Sequence, residues 1–225
     1  MLPTSYFILE FIVDYDKLRE MMVATQLIVR GIKDPHVLDA MNKVPRHFFM
    51  PEALRERAYE DVALHIGEGQ TISQPYMVAV MTELLELSGD EKVLEIGAGS
   101  GYQAALLSEL AREVFTIERV QVLADEARAR LAGLGYNNVT VITGDGSKGL
   151  EDKAPYDRII ITAAAPELPE IIVKQLGEGG IIVAPVGDRF SQVVIKVRKK
   201  RGVLSEEFHT HCVFVPLIGE FGWKG

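Results

Sequence analysis

Cysteine is nearly absent, with Cys212 the only one among 225 residues. No disulfide can form within the chain, which suits a reducing compartment, so a cytoplasmic location is expected. A long uninterrupted apolar run is missing too. Residues 1–13 are apolar, but they include Glu10, lack a basic opening and are too short to span a bilayer. Neither a signal peptide nor a membrane anchor is expected from them. Positive charge is in deficit: Lys and Arg total 24 against 32 Asp and Glu, for a formal net charge of −8. Proteins that grip nucleic acid use cations to neutralise phosphate, so nucleic acid is disfavoured as a partner. The one basic run, Lys196 to Arg201, lies where an alternating strand turns over at Gly202. It reads as a solvated hairpin tip that protects a sheet edge. A metal site is not expected either. His209 and His211 share a strand face, but no third ligand is apparent and Cys212 points the other way.

Apolar residues are plentiful, at 48%, enough to bury a sizeable core. One domain over residues 1–225 is expected, without repeats or low-complexity tracts. The first part, 1–88, reads as mostly helical. Leu18, Met21, Met22, Leu27 and Ile28 give a helix over 16–30 that stops at Gly31. Asp34-Pro35 caps a second helix running to about Val44. After an irregular stretch, Gly67 to Thr71, a helix from about Pro75 to Leu87 buries Met77, Val80, Met81, Leu84 and Leu85. From residue 90 short apolar runs alternate with helical patterns. Val93–Ile96, Val114–Glu118, Val139–Ile142, Arg158–Thr162 and Gly180–Ala184 are the expected strands. Such runs argue for a parallel sheet covered on both faces. Val193–Val197 and Cys212–Val215 have no helix between them, so an antiparallel C-terminal pair is expected. The fold class is α/β: a doubly wound, mostly parallel sheet in 89–225, with a helical N-terminal cap.

The chemistry concentrates at strand ends. Glu95-Ile-Gly97-Ala-Gly99-Ser-Gly101 follows the first strand and opens a helix. Glycines allow a sharp turn and let a ligand approach bare backbone beside the helix N-terminus. Dinucleotide loops favour Gly-x-Gly-x-x-Gly, whereas here the third glycine comes one residue early. Gly-x-Gly-x-Gly with an acid two residues upstream resembles the first motif of the Rossmann-like methyltransferases. Glu118 ends the second strand, where a carboxylate can accept from both hydroxyls of a ribose. Gly144-Asp145-Gly146 follows the third strand. The three acids therefore sit at successive strand ends on one sheet edge, where open α/β folds bind ligands.

Upstream, Gly69-Gln70-Thr71-Ile72-Ser73-Gln74-Pro75-Tyr76-Met77 is similar to the signature segment of the protein-L-isoaspartate O-methyltransferases. The similarity extends to Val44-Pro45-Arg46-His47-Phe48, Ala163–Pro166, Gly179-Gly180, Pro185–Gly187 and Phe214–Leu217, so it runs from about residue 18 to the end. The resemblance implies S-adenosylmethionine as methyl donor, with S-adenosylhomocysteine as product, and isoaspartyl peptides and proteins as substrates. It implies Ser73 as the catalytic hydroxyl, with Thr71, Ile72 and Ser73 against the cofactor beside Glu95, Gly97, Gly99, Gly101, Glu118, Asp145 and Gly146. In that family the aspartate matching Asp145 accepts from the adenine amino group. Ser73 also suits a helix cap two residues before Pro75, and both roles are expected of it. A monomer is expected. Three rivals stand beside this reading: a methyltransferase for a small molecule or RNA, an NAD-dependent oxidoreductase, and a non-catalytic binding protein. The 69–77 segment argues against the first, the glycine spacing and Asp145 against the second, and the Ser73 hydroxyl against the third.

Overall fold

The structure is a computed structural model and describes residues 13–224. The expectations for the first twelve residues lie outside it. The expected helix over 16–30 is helical throughout but wound three ways. Its first part, α1 (Tyr15–Met22), passes into a π turn over Val23–Leu27 and a 3-10 turn over Ile28–Arg30. Gly31, left-handed at φ +95°, ends it as expected. Asp34 caps α2 (Pro35–Lys43), its carboxylate accepting from the N–H of His36 at 2.9 Å. Two 3-10 segments follow, Arg46–Phe49 and Glu52–Arg57, and then a small hairpin of β1 (Leu64–Gly67) and β2 (Gln70–Ile72).

Helix α3 (Pro75–Leu84) starts as expected and stops three residues short. Val78, Ala79 and Thr82 are buried on it along with Met77 and Met81, while Val80 and Leu84 are half-buried. The buried face is therefore wider than the i, i+4 stripe in the sequence, because α3 packs in the interior. Then come β3 (Lys92–Ile96), α4 (Tyr102–Leu110), β4 (Glu113–Glu118), α5 (Gln121–Gly133), β5 (Val139–Thr143), β6 (Tyr156–Ile161) and α6 (Glu170–Lys174). The chain closes with β7 (Leu176–Gly187), β8 (Gln192–Lys200) and β9 (Val203–Cys212).

Seven strands form one sheet in the order β5-β4-β3-β6-β7-β8-β9. The five from β5 to β7 are parallel, and β8 and β9 are antiparallel to their neighbours. The antiparallel end is as expected in kind but not in position. The last strand begins straight after the Arg201-Gly202 turn and ends at Cys212, so Phe214 and Val215 lie beyond it. Arg201 and Gly202 both take positive φ, +53° and +74°, the geometry of a tight hairpin turn. The edge is consequently β9, one strand beyond the basic run. Part of that run is engaged: buried Lys196 and half-buried Arg198 both pair with Glu86, and Lys199 donates to the carbonyl of Leu176, while Lys200 and Arg201 stay exposed. The hairpin tip at Lys200–Gly202 is solvated as expected, but the run lies on β8, inside the edge strand.

Alternation along the parallel strands builds two cores. Val93, Val114, Ile160, Ile181 and Val183 face the N-terminal elements, α3 and α4 in one apolar cluster. Leu94, Ile96, Phe115, Ile117, Ile159 and Ile161 face the other way, with Ile172 of α6 and Leu217. The strand order reverses at β3, with β4 on one side and β6 on the other. Crevices in open α/β sheets form at such a point, beyond the carboxyl ends of the strands.

Candidate active site

A cavity of about 950 Å³, including its mouth, opens at that point. Residues from six segments of the chain line it. Thr71, Ile72 and Ser73 come from the end of β2 and the turn after it, and Val78 and Met81 from α3. Gly97, Ala98, Gly99 and Ser100 form the loop after β3, followed by Tyr102 and Gln103 of α4. Glu118, Arg119 and Val120 end β4, Gly146 follows β5, and Thr162 and Ala163 follow β6. The tail from Phe214 to Ile218 closes the last side.

The loop after β3 is shaped by what a side chain would meet. At Gly97, φ is +102° and a Cβ would stand 2.5 Å from the Thr162 hydroxyl oxygen. Thr162 needs that place, because its hydroxyl donates to the carbonyl of Gly97 at 2.6 Å and so fastens the loop to β6. At Gly146 a Cβ would stand 2.7 Å from the Ile96 side chain, so this turn can approach β3 only as glycine. Glu118 is 8% exposed and clamps the loop from beneath. One of its oxygens accepts from the N–H of Gly99 at 2.9 Å, and the other from the N–H of Val120, also at 2.9 Å. Each oxygen keeps a free lone pair on the cavity side of the clamp.

Of the residues expected at the cofactor, Thr71, Ile72, Ser73, Gly97, Gly99, Glu118 and Gly146 line this cavity. Glu95, Gly101 and Asp145 do not. Gly101 caps α4 in a left-handed turn and faces Ala127 and Leu131 of α5, so it serves helix packing. Glu95 is fully buried in β3, and neither of its carboxylate oxygens has a hydrogen-bond partner among the described residues. Burial pushes its carboxyl up to about 8, with nearby Glu118 adding to the rise and the Thr116 hydroxyl opposing it. Asp145 turns toward the tail instead. It accepts from the Ser147 hydroxyl at 2.6 Å and from the N–H of Glu220 at 2.9 Å. Burial raises its pKa, but the bonds from Ser147 and Glu220 outweigh burial and hold it below the usual carboxylate range. Asp145 thereby fixes the segment that follows Leu217 and Ile218 against the sheet.

Ser73 departs from expectation in one respect. Gln74, not Ser73, is the N-cap of α3, and the Ser73 hydroxyl makes no hydrogen bond among the described residues. The helix start is held from afar, by Asp61, which accepts from the N–H of Tyr76 at 2.9 Å and from the Gln74 amide at 3.3 Å. Nothing in the local sequence signals this, since Asp61 sits in an irregular stretch distant from the helix it caps. Gln103, Thr162 and Val120 were likewise not expected at the cavity. The Phe214–Leu217 run was singled out without a role and now forms a wall.

A second, open groove meets the cavity. Arg30, Tyr76, Met77, His211, Cys212 and Val213 are among the residues that line it, and Thr71, Ser73 and Phe214 belong to both spaces. Ser73 therefore stands where the two join, with its hydroxyl free.

Comparison with known proteins gives one consistent result. The family model described as "Protein-L-isoaspartate(D-aspartate) O-methyltransferase (PCMT)" matches residues 18–222. A protein-L-isoaspartate O-methyltransferase of Geobacter metallireducens is 54% identical over 211 residues, 93% of this chain and 98% of that one. A Methanoculleus marisnigri protein of the same name is 54% identical over 207 residues, covering 92% and 94%. Among solved structures, a protein-L-isoaspartate O-methyltransferase superposes with a TM-score of 0.80 at 30% identity, over 91% of this chain and 67% of that one. A Plasmodium falciparum protein assigned to the same activity, in complex with S-adenosyl-L-homocysteine, gives 0.78 at 26% identity, over 92% and 99%. Cavity, signature segment and overall match agree, and the chain belongs to the protein-L-isoaspartate O-methyltransferase family.

Proposed function

We propose that the cavity seats S-adenosylmethionine, that the groove admits an isoaspartyl residue of a damaged protein, and that Ser73 aligns the two. The observation that carries this reading is the position of Ser73 and Thr71, shared by cavity and groove. The donor set fits the cofactor. Glu118 has two spare lone pairs for a ribose, Gly97 and Gly99 expose backbone, and Ile117, Val120 and Leu217 offer apolar surface for a base. Asp145 contributes by holding the tail in place. The net charge of −8 disfavours RNA as the methyl acceptor.

S-adenosylmethionine supplies an electrophilic methyl group on a sulfonium. An isoaspartyl carboxyl, with a reference pKa of about 4, is ionised at neutral pH and needs no general base to act as nucleophile. This agrees with the cavity lining beside Ser73, which offers hydroxyls and a glutamine amide, while Arg30 and His211 lie in the adjoining groove. Ser73 and Thr71 are placed to donate to a carboxylate oxygen and aim the other along the line of transfer. Tyr102, Met81 and Val78 exclude water that would otherwise solvate the anion. The product ester is then open to attack by the following backbone nitrogen, which expels methanol and closes a succinimide. Hydrolysis of that ring returns some normal aspartate.

Paired peptides that differ only in aspartate or isoaspartate test the assignment. Methyl transfer should run on the isoaspartyl peptide and be nearly absent on its partner, because one methylene shifts the carboxylate relative to the main chain. A reacting atom must sit within about 3–3.5 Å of its target, so that offset decides the rate. Equal rates, or transfer only to RNA, would refute the proposal. For Ser73, the unbonded hydroxyl separates catalysis from folding. Ser73→Ala should change stability by less than about 0.5 kcal/mol, as for a surface substitution that breaks no bond. Its saturated turnover should fall about tenfold or more through loss of alignment. Turnover equal to wild type would move the aligning role elsewhere in the 69–77 segment.

A further inference from the structure

The Val44–Phe48 segment matches the family but has no part in the mechanism above, and it contains a fully buried guanidinium. Arg46 is 0% exposed, and no carboxylate bonds it among the described residues. Its partners are main-chain carbonyls from two separate segments. Nε donates to the carbonyl of Ala58 at 2.7 Å, and Nη2 donates to the carbonyl of Ser73 at 2.8 Å. Nη1 is buried with no partner among the described residues. The guanidinium carbon, Cζ, lies 4.8 Å from the ring centre of Tyr102, itself part of the cavity wall. A buried charge without a counter-ion is costly, and an apolar side chain of similar length would fill the space at lower cost. What the guanidinium does provide is a pair of bonds that tie two separate segments together.

We infer that Arg46 is the positioning residue for Ser73, on the reading of Ser73 as the hydroxyl that aims the substrate carboxylate. The carbonyl of Ser73 belongs to the peptide plane that leads into Gln74. Fixing that plane anchors the Cα of Ser73, and with Ile72 held by its pairing to Leu64 it restrains the rotation that sets the Cα–Cβ direction, and so the arc on which the hydroxyl can lie. Asp61 grips the following residues through the Gln74 amide and the Tyr76 N–H, so the turn is held at Ser73 and just after it. The rigid fork of arginine suits this task, because it binds Ala58 and Ser73 at once and ties the turn to the N-terminal elements. A charged donor also makes both bonds stronger than a neutral one would.

A double-mutant cycle on the full chain tests this. Arg46→Lys and Arg46→Met are made in the wild-type and Ser73→Ala backgrounds, and kcat and KM for an isoaspartyl peptide are measured well below each melting temperature. S-adenosylhomocysteine affinity is measured alongside by calorimetry. Arg46→Met should lower kcat about tenfold or more, because small misplacements of a reacting group are costly. KM and S-adenosylhomocysteine affinity should stay within about threefold of wild type, as expected when an interaction acts mainly in the transition state. Arg46→Lys keeps the charge and can reach one of the two carbonyls, so its kcat should fall between. In the Ser73→Ala background Arg46→Met should cost at most about twofold more, since residues acting through one group are not additive. Should Arg46→Met fail to fold, the lysine variant carries the same cycle. Wild-type kcat in the Arg46 variants, or the same fold-loss in both backgrounds, would overturn the inference. Wild-type kcat in Ser73→Ala would instead refute the reading of Ser73, and the inference would fall with it.

Discussion

Glu118→Ala should weaken binding of S-adenosylhomocysteine about a hundredfold or more. In the proposed site the carboxylate accepts from two ribose hydroxyls while already holding the N–H groups of Gly99 and Val120. Each bond to a charged acceptor is worth about 1.5–3 kcal/mol, and two such losses exceed the ~2.7 kcal/mol that a hundredfold change requires. The substitution does further damage by leaving the Gly99 N–H without its acceptor, so the loop that carries Gly97 and Gly99 loosens as well. Glu118→Gln separates the two effects. One amide oxygen can still accept a loop N–H, but the amide nitrogen would face the other as donor against donor. Its affinity should lie between wild type and alanine. Calorimetric titration reads all three proteins. Alanine binding as tightly as wild type would remove the proposed ribose contact, and tight NAD binding would favour a dehydrogenase.

Glu95→Gln should alter how stability depends on pH, with a large effect. In the folded protein the Glu95 carboxyl is pushed up to about 8 by burial, against an ordinary value of 4.5. Between about pH 5 and pH 8 the folded state therefore keeps a proton that the unfolded chain has already released. Where the folded state binds more protons than the unfolded one, stability falls as pH rises. Glu95 thus has the opposite sign to an ordinary paired carboxylate. It penalises the folded protein progressively through that window. At about 1.4 kcal/mol per pKa unit, the contribution amounts to roughly 4 kcal/mol by pH 8. Glutamine has nearly the same shape and no proton to lose, and the unpartnered Thr116 hydroxyl lies close enough to interact with residue 95. Urea denaturation at pH 5, 6, 7 and 8 should show wild-type stability declining relative to the variant as pH rises. Parallel curves for the two proteins would show that Glu95 does not hold a proton in the folded state.

The strands and their helices were legible because parallel strands buried on both faces read as continuous apolar runs. The runs Val93–Ile96 and Val114–Glu118 could hardly be anything else. The glycine loop was legible for a similar reason: it lies between a strand and a helix, and both neighbours are visible in the sequence. The final strand was misplaced because β9 shows its outer face to solvent, and its residues are mostly polar or exposed. Cys212–Val215 looked more strand-like, yet after Cys212 the chain leaves the sheet, and Phe214 and Val215 build the cavity wall with Pro216 and Leu217.

Local sequence thus determined the order of elements, the turn at Gly97–Gly101 and the identity of the signature segment. Each of these depends on residues a few positions apart, whose backbone preferences and side-chain alternation are written in the chain itself. Tertiary structure alone decided which strand-end acids face the cavity. Glu95, Glu118 and Asp145 look equivalent in sequence, but one is sealed within the sheet, one clamps the loop, and one holds the tail. It alone decided that Asp61 caps α3 and that Arg46 holds Ser73, because those bonds join segments 15 and 27 residues apart. The physical reason is that a hydrogen bond is satisfied by whichever partner folding brings within about 3 Å, and sequence spacing does not encode that distance.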